Sequence, residues 1–130
     1  MDWGIFEINE GLIGMISFDG ESKLNPAIER IGYWLAKPYW NQGIMTRVLK
    51  RITTLGFKDH GFSRLEASIF SFNRASCRVA VKCGFRHVED LPAAYQKDGS
   101  PIDAKLYVVD NEMNVLSANK CFGLSGNAQL

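Results

Sequence analysis

The chain alternates short apolar runs with polar clusters, and the period of the runs changes along its length. Trp3 to Ile8 predicts a first strand, and Asn9-Glu10-Gly11 a hairpin turn with Gly11 suited to positive φ. Leu12 to Phe18 is almost continuously apolar, the pattern of a central strand covered on both faces. After a polar loop, Asp19 to Pro26, the run Ile28 to Leu35 predicts a third strand. The period then becomes helical. Ile44, Val48, Ile52 and Leu55 recur on one face, with Met45 and Leu49 alongside, and the helix ends near Lys58 to Gly61. Arg64 to Ile69 predicts a fourth strand. Asn73 is a good N-cap for a second helix, Arg74 to Cys83, which Gly84 terminates. Phe85 to Leu91 and Lys105 to Val109 predict two last strands, joined by a loop that holds Asp98-Gly99.

The order is therefore β-β-β-α-β-α-β-β, an α/β chain with a mixed sheet. The strands flanking the first helix are expected as parallel neighbours, because a strand–helix–strand crossover makes them so. Residues 1–110 are expected as one domain, and the polar, aperiodic stretch 111–130 as a disordered or loosely packed tail.

Composition narrows the class. One hundred and thirty residues with 46% hydrophobic content suit one soluble domain with a real core. Met1-Asp2-Trp3 opens no signal peptide, and no apolar run is long enough to span a membrane. Cys77, Cys83 and Cys121 lack metal spacing and the only histidines are His60 and His87, so no metal is expected. A reduced, cytoplasmic protein is the expectation. Cys77 and Cys83 read as small apolar residues on a helix. A nucleophilic Cys77 would need a nearby base, and the sequence offers none.

Charge adds a partner class. Between Asn41 and Arg86 stand nine basic residues (Arg47, Lys50, Arg51, Lys58, Arg64, Arg74, Arg78, Lys82, Arg86) against Asp59 and Glu66, so this segment carries +7 and the rest of the chain −6. Most of these bases read as solvated helix faces. A polyanion would nevertheless be drawn to the middle of the chain. There the strand Ile31 to Leu35 leads through Gly43 into a helix. The first helical N–H groups have no intrahelical partners, and the dipole places about half a positive charge at that end. Gly43 lets the backbone turn and approach a ligand closely. A phosphate or pyrophosphate is the natural guest.

Ile31-Gly32-Tyr33-Trp34-Leu35, Gln42-Gly43-Ile44-Met45, Asn73 with Ser76, Lys82-Cys83-Gly84-Phe85, and Asp103 with Tyr107 occur in an order that resembles the GCN5-related N-acetyltransferase superfamily. The branch it most resembles is that of the ribosomal-protein N-terminal acetyltransferases. The resemblance runs from Leu12 to about Val109. It implies two parallel strands that splay apart, and acetyl-CoA as cosubstrate. The pyrophosphate would lie on the backbone of Trp40, Asn41, Gln42, Gly43, Ile44, Met45 and Thr46. Pantetheine would enter the splay and hydrogen-bond Leu35 and Ala36 as an added strand, with Asn73 holding its amides. A backbone N–H near Trp34 or Leu35 would polarise the thioester carbonyl.

The departures from the family pattern fall at the chemistry. Trp40 and Met45 replace the usual Arg or Gln and the usual small residue of the phosphate loop. The tyrosine that many relatives carry seven residues after the Asn is Ala80 here. The serine of the ribosomal-protein branch is present as Ser76, read either as the general acid or as a hydroxyl in the first turn of its helix. No base is legible: Arg30 stands where relatives often place Glu, Glu29 points to the opposite sheet face, Ala94 replaces the branch's carboxylate, and Glu66 reads as an ion-pair partner. The resemblance also implies an opening strand and two helices ahead of Trp3. Without them the acceptor pocket is expected to be open or covered by another subunit.

Two readings compete: an N-acetyltransferase acting on a primary amine, a protein N-terminus or a small amine, and a non-catalytic CoA-binding module. A nucleic-acid-binding role has no motif behind it. A homodimer is expected, with Trp3, Ile5, Phe6 and Ile8 exposed beside an unpaired strand edge.

Overall fold

A three-stranded meander, a closing hairpin and two helical crossovers build a single sheet. The computed structural model describes residues 1–20 and 25–111; the expected tail from residue 112 on, with Cys121, and part of the polar loop after Phe18 lie outside the described residues. In chain order the elements are β1 (Asp2–Glu7), β2 (Gly11–Phe18), β3 (Ile28–Leu35), α1 (Ile44–Lys58), β4 (Arg64–Phe70), α2 (Arg74–Lys82), β5 (Arg86–Lys97) and β6 (Ser100–Asp110). The six strands lie in the order β1-β2-β3-β4-β6-β5. Every neighbouring pair is antiparallel except β3 with β4, which the α1 crossover makes parallel. Element order and parallel pair are those the sequence predicts.

The core lies between one face of this sheet and the two helices. Alternate strand residues supply it: Ile16 and Phe18 from β2, Ile31 from β3, Leu65, Ala67 and Ile69 from β4, and Tyr107 from β6. The helical stripe Met45, Leu49 and Ile52 meets them from α1, and Ala80 from α2. Gly56 allows α1 to sit close to the sheet, since a Cβ there would stand 3.0 Å from the Phe18 ring.

Four expectations change. The helices cover one face of β2, where Ile16 and Phe18 join the core; on the opposite face Ile13 is buried and Met15 and Ser17 are half-buried, while Leu12 is exposed. The last two strands are far longer than predicted. Asp98 (φ 53°) and Gly99 (φ 79°) form a tight turn between Lys97 and Ser100, and the strands pair along their length from it. Helix α2 stops at Lys82, with Cys83 as its C-cap. Gly84 (φ 89°) then closes it as a Schellman motif, the Gly84 and Phe85 amides donating to the Val81 and Ala80 carbonyls at 3.1 and 3.0 Å. Finally, Trp3 and Ile5 are not free. Trp3 packs edge-on against Phe18, ring centroids 5.2 Å apart, and both residues lean on the core.

Candidate active site

The parallel pair opens into a fork. β3 and β4 are in register at Ile28↔Arg64, Glu29↔Leu65 and Arg30↔Glu66, and the pairing ends there although both strands continue to Leu35 and Phe70. Arg30 and Glu66 close the crotch with a 3.2 Å ion pair, so Glu66 is the ion-pair partner the sequence suggests. The backbone beyond the crotch points into the gap at every second residue. The Arg30 carbonyl and the Ala36 amide both bond toward β2, to Asp19 N–H and Ile13 C=O at 2.8 Å each. By alternation, the polar groups of Ile31, Tyr33 and Leu35 face the fork.

At its open end the fork runs into the N-terminus of α1. One cleft of about 240 Å³ joins the two, lined by Tyr33, Trp34 and Leu35 of β3, by Trp40 through Thr46 except Gln42, and by Asn73 and Ser76 of the α2 entry. The loop into α1 takes left-handed conformations at Asn41 (φ 62°) and Gly43 (φ 76°). Gly43 is the N-cap, and no side chain caps the helix. The amides of the first turn therefore keep their capacity to bind an anion. A Cβ at Gly43 would meet nothing within 4 Å, so the space in front of this turn is open.

On the other wall, the Asn73 Oδ1 accepts the Ser76 N–H at 3.2 Å and starts α2. The sequence left Ser76 between general acid and first-turn hydroxyl. Asn73, not Ser76, makes the cap, and the Ser76 hydroxyl has no hydrogen-bond partner among the described residues. The Tyr33 hydroxyl donates to the Ser76 carbonyl at 2.8 Å. Burial, helped by the nearby thiols of Cys83 and Cys77, holds the Tyr33 phenol far above its ordinary range. Cys83 donates its thiol to the Thr46 carbonyl at 3.3 Å, tying the end of α2 to the start of α1, and burial raises its pKa against the opposing charge of Lys50. Tyr107, buried against Cys77, is pushed up to about 12 by that burial and by the neighbouring thiol.

The structure brings most of the predicted residues together. Leu35, Trp40, Asn41, Gly43, Ile44, Met45, Thr46, Asn73 and Ser76 share the cleft. Ala36 and Gln42 do not line it: the Ala36 N–H is spent on Ile13, and the Gln42 Nε2 donates to the Pro38 carbonyl at 3.1 Å. The Trp34 backbone faces β2, which leaves the Leu35 N–H as the donor aimed into the fork. Two features were missed. The Trp40 indole donates to the Leu35 carbonyl at 2.6 Å, across the mouth of the fork. Arg78, Val79 and Lys82 also line the cleft. Steps of three from Asn73 reach Ser76, Val79 and Lys82, so helical spacing carried that signal.

Among the described residues no helix is long and apolar enough to cross a membrane, and no group of three or more His, Cys, Asp or Glu is placed to hold a metal.

A family model described as an acetyltransferase (GNAT) domain matches residues 1–86. The uncharacterized N-acetyltransferase YoaA of Bacillus subtilis (strain 168) is 32% identical over 108 residues, which is 82% of this chain and 60% of YoaA. The fold is similar to the ribosomal-protein-S5-alanine acetyltransferase of Vibrio fischeri, with a TM-score of 0.73 at 24% identity over 78% of this chain and 56% of that one. It is also similar to RimL, a ribosomal L7/L12 alpha-N-protein acetyltransferase solved with coenzyme A, with a TM-score of 0.70 at 26% identity over 77% of this chain and 56% of that one. The chain thus spans a little over half the length of these relatives.

Proposed function

The chain belongs to the GNAT acetyltransferase family, and on that footing we propose that it transfers the acetyl group of acetyl-CoA to a primary amine, a protein N-terminus or a small amine. The observation that carries the reading is the continuity of the fork with the N-terminus of α1 in one cleft. A long ligand with an anionic end and an amide-bearing arm matches that shape. The residues fit it on three counts: uncapped amides at Ile44 to Thr46, open space before Gly43, and outward-facing groups on Leu35.

Acetyl-CoA would supply an activated acetyl thioester. The backbone from Trp40 to Thr46 would hold its pyrophosphate, and Leu35 with the Asn73 side chain its pantetheine amides. The Leu35 N–H is oriented to polarise a carbonyl in the fork. Ser76 has a free hydroxyl to give a proton to a departing sulfur. Holding both reactants in line can itself supply about 7–11 kcal/mol. The carboxylates nearest the crotch are engaged, Glu29 with the Gly20 and Arg30 amides and Glu66 with Arg30. The acceptor's proton therefore leaves to water in this scheme, and water returns one to the Ser76 oxygen.

The test has two stages. CoA should raise the melting temperature and give a calorimetric binding heat. Acetyl-CoA with a panel of amines should then release free thiol. CoA binding with no thiol release across the panel would favour the non-catalytic module, and no binding at all would refute both.

A further inference from the structure

Past Arg30 and Glu66 the parallel strands share no ladder. Tyr33 stands three residues beyond that crotch, with its ring in the cleft wall. Its hydroxyl reaches the Ser76 carbonyl at 2.8 Å. Ser76 belongs to α2, which the far arm of the fork carries. The Ser76 backbone is thus held at both ends, locally by Asn73 Oδ1 on its N–H and from across the fork by Tyr33 on its C=O. We infer that Tyr33 is a strut: its hydroxyl bridges the two arms, sets the width of the slot, and positions the first turn of α2 against β3. The inference rests on reading the cleft as the CoA site. Tyr33 acts through Ser76 and the backbone, so it is a positioning residue.

Two further observations suit that role. Burial keeps the phenol protonated well beyond neutral pH, so it stays a donor under working conditions. The ring packs with Leu35 on the helix-facing side of β3 and joins the hydrophobic core, which leaves the hydroxyl little freedom to turn elsewhere.

Slot width concerns the pantetheine arm. It does not concern the nucleotide half, which would be held at the start of α1. Tyr33→Phe keeps the ring and removes only the bridge. In the full chain, calorimetry should show CoA binding about fivefold to tenfold weaker, the loss expected for one buried hydrogen bond. Binding of 3′-phospho-ADP, the nucleotide half alone, should stay within about twofold of wild type on the same argument. Amide exchange should quicken in the first turn of α2 and not in α1. Equal losses for CoA and the nucleotide half, or no loss for either, would reduce Tyr33 to a packing residue and overturn the strut. Failure of the wild-type chain to bind CoA would instead sink the functional reading. In that event the exchange comparison still decides the strut, since unchanged exchange in the first turn of α2 refutes it.

Discussion

At the scale of single residues, the contact with the largest consequence is the 2.6 Å bond from the Trp40 indole to the Leu35 carbonyl. That carbonyl faces the fork, where a pantetheine amide would need it. Ligand and indole compete for one acceptor. Trp40→Phe should remove the competitor at a gain of about 1 kcal/mol, so CoA should bind roughly fivefold tighter. In the wild type, CoA should change tryptophan fluorescence as the indole is displaced. Unchanged affinity in Trp40→Phe would mean that the ligand bypasses Leu35. Ser76 gives a complementary expectation. Its hydroxyl has no partner within the described chain, so Ser76→Ala should leave fold and CoA affinity nearly intact. Turnover should fall about 10²-fold if this hydroxyl protonates the leaving thiolate. Full turnover would make it a spectator.

At the scale of elements, the turn into α1 and the end of β6 carry the clearest tests. Gly43 sits at φ 76° with open space before it. A valine there strains the backbone by about 1–2 kcal/mol and displaces the amides from the cleft. Gly43→Val should remain folded at room temperature yet lose its thermal protection by CoA. Asp110 tests the other end of the sheet. Its carboxylate accepts from Arg64 at 2.7 Å and Arg86 at 2.9 Å, joining β4, β5 and β6. The Arg64 hydrogen bond, aided by Arg86, holds its pKa below the ordinary carboxylate value against the opposing effect of burial. A lowered folded-state pKa means stability present above about pH 4 and lost as pH falls through the folded value. The melting temperature of wild type should therefore drop more steeply on acidification below about pH 4 than that of Asp110→Asn. Parallel slopes would show that the contact contributes nothing.

The elements also show what could be read from sequence. β3, α1 and the Asn73 cap were legible because one strong local cause, an apolar period or a capping side chain, fixes each. Sequence predicts β5 at half its length because its exposed edge position removes the apolar alternation, and its register shifts between His87 and Glu89 and again across Pro92, between Leu91 and Tyr95. That Ala36 stands outside the cleft has a different cause. Residue 36 bonds β2, and which way a backbone amide points depends on sheet register, which no residue identity encodes. Tyr33 was visible within its motif, but its reach to Ser76 spans 43 positions of sequence and only the folded topology reveals it.

At the scale of the whole molecule, the outer hairpin is the surface that a partner would meet. β1 is the first strand of the sheet, and among the described residues nothing pairs with its free edge. Phe6, Ile8 and Leu12 are 70%, 98% and 51% exposed beside that edge. The Phe6 ring and the Leu12 side chain both approach Gly4 closely and so form one patch, with Ile8 exposed in the adjoining turn. An unpaired edge next to an apolar patch is a template for another strand. A second copy on a two-fold axis would satisfy both at once, edge against edge and patch against patch. Trp3 and Ile5 take no part, since they lean on the core, and replacing them would report folding and not association. The informative variants are Phe6→Asp and Ile8→Asp, which place a charge in the patch or in the turn beside it and leave the core alone. Wild type should sediment as a homodimer at micromolar concentration, and each variant as a folded monomer with unchanged CoA affinity. A wild-type monomer across that range would mean that this edge stays protected by other means, and would count against the dimer.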